Sequence, residues 1–187
     1  MKKIVCVFSL LAATTAVAFS QPVYSAKEGK ASFFSKSPME DIAAETKSVN
    51  SFINTTNGDA VFIIPITSFK FEKALMQEHF NEKYLESDKY PTATYKGKIN
   101  EPIDFSKDGE FKVTSTGKLT MHGVEKERTD SAKIVVKDGK AILDCTFKVK
   151  LADHKIKIPS LVIDNIAEVV DVTIHTVYTP HVISDKK

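Results

Sequence analysis

From Phe111 onward the chain alternates with a period of two. Phe111, Val113, Ser115, Gly117, Leu119 and Met121 share one face, opposite Lys112, Thr114, Thr116, Lys118, Thr120 and His122. A second run places Ala141, Leu143, Cys145, Phe147, Val149 and Leu151 together, facing away from Asp144, Thr146, Lys148 and Lys150. A third sets Val170, Val172, Ile174, Thr176 and Tyr178 against Asp171, Thr173 and His175. One apolar and one polar face marks an antiparallel strand that is wet on one side. The runs extend over roughly nine to twelve residues, longer than the usual five or six. Asn57-Gly58, Asp108-Gly109 and Asp138-Gly139 fall between β-type runs, with His122-Gly123 a weaker fourth. Asx-Gly supplies the two positive-φ residues of a tight hairpin turn. Long half-wet strands joined by hairpins predict a single curled sheet that closes and so removes its edges.

Residues 72–85 break the pattern. Leu75, Met76, His79, Phe80 and Tyr84 recur at helical spacing with no Gly or β-branched residue between them, which predicts an amphipathic helix of about three turns. Ser87-Asp88-Lys89-Tyr90-Pro91 ends it, because Pro disfavours helix at Tyr90. The tail Asp185-Lys186-Lys187 is expected to fray.

The N-terminus is a segment of another kind. Lys2 and Lys3 precede an uncharged run over 4–18, and small residues (Ala16, Ala18, Ser20) offer cleavage positions before Gln21. Residues 1–20 therefore read as a bacterial-type secretory signal peptide, too short for a comfortable membrane span, and 21–187 as one domain. The expected compartment is the periplasm. Cleavage removes two of the 26 basic residues and none of the 24 acidic ones, so the mature chain is neutral. Broad attraction to nucleic acid is excluded on that count. Cys6 leaves with the signal and Cys145 stays, so the mature monomer has no internal disulfide and depends on core burial. With 42% hydrophobic residues, that core is feasible.

Candidate chemistry is sparse. No Gly-x-Ser-x-Gly elbow or Cys-His pairing is present, and no catalytic residue is expected. Cys145 sits mid-strand on the apolar face, where burial makes a thiol inert. His79, His122, His154, His175 and His181 are scattered, with His122 and His175 on solvent faces; His79 and Glu82 share a helix face, but two ligands do not make a metal site.

Taken in order, certain stretches resemble the YceI-like family. They are His79-Phe80 in a helix, Ser87-Asp88-Lys89-Tyr90-Pro91-Thr92-Ala93-Thr94-Tyr95, and Gly117-Lys118-Leu119-Thr120-Met121-His122-Gly123-Val124, a G-x-L-T-[IM]-H-G-V pattern. Strands over 146–151 and 166–177 complete the set, and the similarity spans 29–179. The resemblance implies an all-β fold: an extended eight-stranded antiparallel lipocalin-like barrel with one short amphipathic helix. It also implies a hydrophobic tunnel for an isoprenoid-type lipid, such as a polyisoprenoid or a quinone, with no cofactor required and no enzymatic activity. Transient membrane contact and a dimer are compatible with it.

From the residues alone, an open cavity and a packed core are equal alternatives. Small inward groups at Ala93, Ser115, Gly117 and Ala141 favour space, and the resemblance tips the expectation to a cavity. The candidate lining is Tyr95, Phe111, Val113, Leu119, Phe147 and Val149, together with Phe62, Ile64, Cys145 and Arg128. One departure stands out: Lys126, Arg128, Asp130, Ala132, Ile134 and Val136 share a face that family members keep apolar. Arg128 and Asp130 are expected to pair at a wet barrel rim, where such a pair contributes little; a headgroup-binding role is the alternative. A filled barrel that binds a protein partner is the rival to a lipid carrier.

Overall fold

A computed structural model describes residues 22–159 and 165–182; residues 1–20, expected to be a signal peptide, and the Lys-rich tail lie outside them. Among the described residues nine strands follow in order: β1 (Pro22–Ser35), β2 (Ile42–Asn54), β3 (Asp59–Pro65), β4 (Lys70–Phe71), β5 (Thr92–Ile99), β6 (Gly109–Met121), β7 (Val124–Lys137), β8 (Lys140–Lys150) and β9 (Val169–Val182). Neighbours run β1-β9-β8-β7-β6-β5-β3-β2, all antiparallel, and β2 returns to β1 to close an eight-stranded barrel. The two-residue β4 lies beside β2 at Ala44 and Glu45. The expected fold is the observed one.

The turns sort by backbone sign. His122-Gly123 (φ 51° and 70°) and Asp138-Gly139 (φ 50° and 72°) are two-residue hairpin turns with both residues left-handed, as their chemistry requires. The other two differ from expectation. Gly58 is left-handed at φ 79° and Asn57 is not; residues 55–58 form a longer loop that the Asn54 carboxamide holds by accepting from Thr56 N at 2.9 Å. Asp108-Gly109 makes no hairpin: Gly109 starts β6 opposite Val136, and the Asp108 carboxylate accepts from Asp138 N at 3.1 Å. Asx is itself a good backbone cap, so the same dipeptide serves a different purpose there.

The helix runs α1 (Ala74–His79) into a wide π turn at Phe80–Tyr84, closed by Leu85 N donating to Phe80 O at 2.9 Å. Leu75 leaves the expected apolar face and is 60% exposed, one step round the helix from Met76. The wide turn brings Phe80, Tyr84 and Leu85 to the barrel together.

The two ends of the barrel are packed differently. At the end of the β7–β8 turn Ile53, Ile134, Val136 and Tyr178 are buried, and each such side chain contributes about 1.5–3 kcal/mol of transfer free energy. Tyr178 Oη meets Ser51 Oγ at 2.6 Å. Tyr24 completes this plug, its hydroxyl donating to Gly139 O at 3.2 Å and its ring 5.2 Å from Phe105. The pairing of β1 slips between Ala26 and Ala31, and there a Cβ on Gly29 would overlap the Thr176 methyl. The missing side chain lets β9 lie close.

The β7–β8 seam is short. β6 and β7 pair from Gly109↔Val136 to Met121↔Val124, whereas β7 and β8 pair only from Lys137↔Lys140 to Ala132↔Cys145. Beyond that point side chains bridge the strands: Cys145 Sγ–H donates to Ser131 O at 3.3 Å, and Arg128 Nη2 to Lys148 O at 3.0 Å.

Candidate functional site

Above the plug, inward positions line space. The outer chamber, about 270 Å³, lies beneath α1. Its aromatic wall is one cluster in which the Phe80 ring centroid is 5.5 Å from Phe33, 5.6 Å from Phe69 and 5.0 Å from Phe71. Each reaches the cluster from a different element: β1, the loop before β4, β4 itself and the π turn. Leu119, Phe147 and Val149 supply the opposite wall. An inner chamber of about 90 Å³ lies between this space and the plug. Ile64, Ala93, Leu119, Phe147 and Ile174 border both chambers. The outer volume sits just below the usual ligand-pocket range of about 300–1,000 Å³.

Small residues open the inner chamber, though not all of those expected. Ala60, Ala93, Ser115 and Ala132 border it. Gly117 does not: it faces Gly97 across β5–β6, and the Tyr95 ring covers both, 2.8 Å from where a Gly117 Cβ would stand. Ala141 lies in the plug, fully buried. A small residue leaves a void only where no neighbour leans over it.

The candidate lining residues are largely brought together. Phe62, Tyr95, Val113, Arg128 and Cys145 border the inner chamber, Val149 the outer one, and Ile64, Leu119 and Phe147 both. Phe111 borders neither; it packs on the plug against Gly109. Its parity is right and its depth is wrong.

Arg128 and Asp130 are not at a wet rim. Their side chains are 18% and 20% exposed, and both border the inner chamber. Arg128 donates to the Asp130 carboxylate through Nε and Nη2, and its guanidinium lies 4.3 Å over the Phe147 ring. Across the ladder Arg128 faces Gly117 and Asp130 faces Ser115 on β6. Opposite Asp130, Tyr95 Oη and Ser115 Oγ share a hydrogen bond of 2.7 Å. Burial raises the Tyr95 hydroxyl above its ordinary pKa, with the Ser115 bond opposing. Burial also pushes the Cys145 thiol up to about 11, the Asp130 carboxylate adding and Arg128 opposing. Cys145 is half-buried because it borders the chamber; its side of the strand is as expected.

At the helix end, His122 is turned under rather than out, its side chain 12% exposed. Its left-handed backbone in the β6–β7 turn lets the ring reach Glu86 Oε2 through Nε2 at 2.8 Å and His154 O through Nδ1 at 3.0 Å. Tyr90 packs edge-on at 4.8 Å, and a Cβ on Gly123 would strike the Tyr90 ring. The His-Gly-Val stretch thus ties the hairpin to the segment after the helix and to the 3₁₀ turn at Leu151–His154.

Sequence reasoning missed Phe33, Phe69 and Phe71. Their signal was aromatic density, with Phe33-Phe34 and Phe69-Lys70-Phe71 in a chain of 12 Phe residues. It was hard to read because β4 is only two residues long.

The chain matches the family described as YceI-like domain over residues 10–178. No curated protein matches it. Among solved structures, a polyisoprenoid binding domain from Saccharophagus degradans implicated in plant cell wall breakdown is similar with a TM-score of 0.72 and 16% identity, over 86% of this chain and 99% of that one. BcnA of Burkholderia cenocepacia follows at 0.67 and 19%, over 80% and 95%. The YCEI protein of Campylobacter jejuni aligns at 0.56 and 21%, over 97% and 99%. At these identities the likeness is one of fold.

Proposed function

This chain belongs to the YceI-like domain family, and from that premise we propose that it binds a single isoprenoid-type lipid inside its barrel and carries or sequesters it in the periplasm. The observation that carries the reading is the pair of contiguous chambers walled by Phe, Leu, Ile and Val, which gives an apolar chain a place out of water. Each buried CH₂ contributes about 0.8 kcal/mol. The solved relative described as a polyisoprenoid binding domain supports the same ligand class. A wholly filled barrel fits these chambers poorly. Binding of this kind needs no catalytic group and no cofactor beyond the lipid itself.

Uptake takes place at the helix end. Glu40 and Met76 border the outer chamber, and Glu40 is tied to Lys73 at 2.6 Å. Beside that pair the apolar Met39 and Leu75 are exposed, which suits brief contact with a membrane that supplies the lipid. The test is organic extraction of protein purified gently from its own periplasm, followed by mass spectrometry. One isoprenoid-type lipid per chain and an intact mass beginning near Gln21 are expected; an empty protein, or one retaining Met1, overturns the lipid or the export part respectively.

A further inference from the structure

The inner chamber ends an apolar path in polar groups. Among its described lining residues the charged side chains are Arg128 and Asp130, and they are paired with each other. Arg128 uses Nε once and Nη2 twice, on Asp130 and on Lys148 O. Its Nη1, with two N–H groups, has no hydrogen-bond partner among the described residues. The Tyr95–Ser115 pair uses one of its two hydroxyl hydrogens on itself, so the other remains to donate. The wall therefore offers donors whose charge is already balanced.

We propose that this wall is a headgroup site, at which an apolar-chain ligand seats its polar end innermost and presents an uncharged oxygen (of a ketone, quinone or alcohol) to Arg128 Nη1. The inference rests on the lipid-binding reading above and adds the ligand's orientation and headgroup class. Charge decides against an anion. A phosphate or carboxylate here would approach the Asp130 carboxylate in surroundings of low dielectric, where like charges repel strongly. Among the described residues no second cation borders the chamber to offset it; Lys148 points to Asp171, at 2.6 Å, with its side chain 72% exposed. An uncharged acceptor meets the free N–H groups without that penalty, and hydrogen bonds to charged donors are the stronger kind. The chamber of about 90 Å³ favours a compact polar end.

Three probes with the same chain test this on the full delipidated protein by calorimetry: geranylgeraniol, geranylgeranyl phosphate and the headgroup-free hydrocarbon. The alcohol should bind about tenfold more tightly than the hydrocarbon, and the phosphate more weakly than the alcohol. Arg128→Met with Asp130→Leu, which removes both charges, should abolish the alcohol's advantage and keep hydrocarbon affinity. Asp130→Asn, a milder change that leaves Arg128 charged, should reverse the order in favour of the phosphate. Equal binding of alcohol and hydrocarbon by the native protein, or a native preference for phosphate, overturns the headgroup site. If the hydrocarbon also fails to bind, the lipid-binding reading falls, and this site with it.

Discussion

His122 and His154 hold neighbouring segments together at the helix end of the barrel. Nδ1–H of His122 donates to the His154 carbonyl at 3.0 Å, and Nδ1–H of His154 donates to the Val124 carbonyl, beside the same hairpin, at 3.1 Å. Burial lowers the His154 pKa, with Arg128 adding, while carbonyl bonds at Val124 and Met121 and the Asp153 charge oppose.

The imidazolium of His154 is thus disfavoured in the fold. Its contribution to stability is complete above the unfolded value of about 6.5 and is lost as pH falls through the folded value. The denaturation midpoint of the native protein should therefore decline as the medium is acidified below neutrality. His154→Gln should show a shallower decline over the same range. Urea titrations at a series of pH values measure the difference, and parallel curves would remove His154 from the account.

Tyr178 and Ser51 make the second bond to test. Their hydroxyls meet in the plug, and burial, only partly offset by Ser51, pushes Tyr178 up to about 12. Tyr178→Phe leaves the Ser51 hydroxyl without its partner, and a loss of about 1–3 kcal/mol is expected. Ser51→Ala should cost a similar amount. The double variant should cost less than the two losses combined, because no orphaned group remains. Equilibrium denaturation of all four proteins gives the coupling.

Cys145 should react slowly with a thiol reagent in the native protein and quickly in denaturant. The thiolate is disfavoured in the fold, so stability should decline as pH rises from the unfolded value of about 8.5 toward the folded value of about 11. Cys145→Ser should remove that alkaline decline, at some loss of stability, without preventing ligand retention. Rapid native labelling would show that the chamber is open to reagent at this depth.

Charge placement along β8 tests the chambers directly. Phe147 and Val149 border them, whereas Lys148 faces outward to Asp171. Phe147→Lys or Val149→Asp should empty the barrel of lipid, since a buried charge without a partner is strongly unfavourable. Lys148→Asp should leave it loaded and alter stability little, because exposed pairs contribute about 0–1 kcal/mol. Circular dichroism must first show that each variant folds. A folded Phe147→Lys protein that still carries lipid would displace the cavity as the binding site.

Much of this architecture could be read without coordinates. Period-two alternation is a local property, and it assigned the inward faces of β6, β8 and β9, the parity of Arg128 and Asp130, and the side on which Cys145 lies. The left-handed pairs His122-Gly123 and Asp138-Gly139 were equally legible, because residue chemistry there dictates backbone sign. Asp108-Gly109 shows the limit: the same chemistry caps a backbone N–H when the chain on either side does not fold back as a hairpin.

Depth along the barrel was decided only in three dimensions. Phe111 and Leu119 share a face of one strand, yet Phe111 packs into the plug and Leu119 borders both chambers. Gly117 promised space that the Tyr95 ring fills. Parity follows from one strand's pleat, so sequence alone determines which side chains point inward. What each then meets depends on the register of strands far apart in the chain and on the closure of β1 onto β2, and only the tertiary structure fixes those.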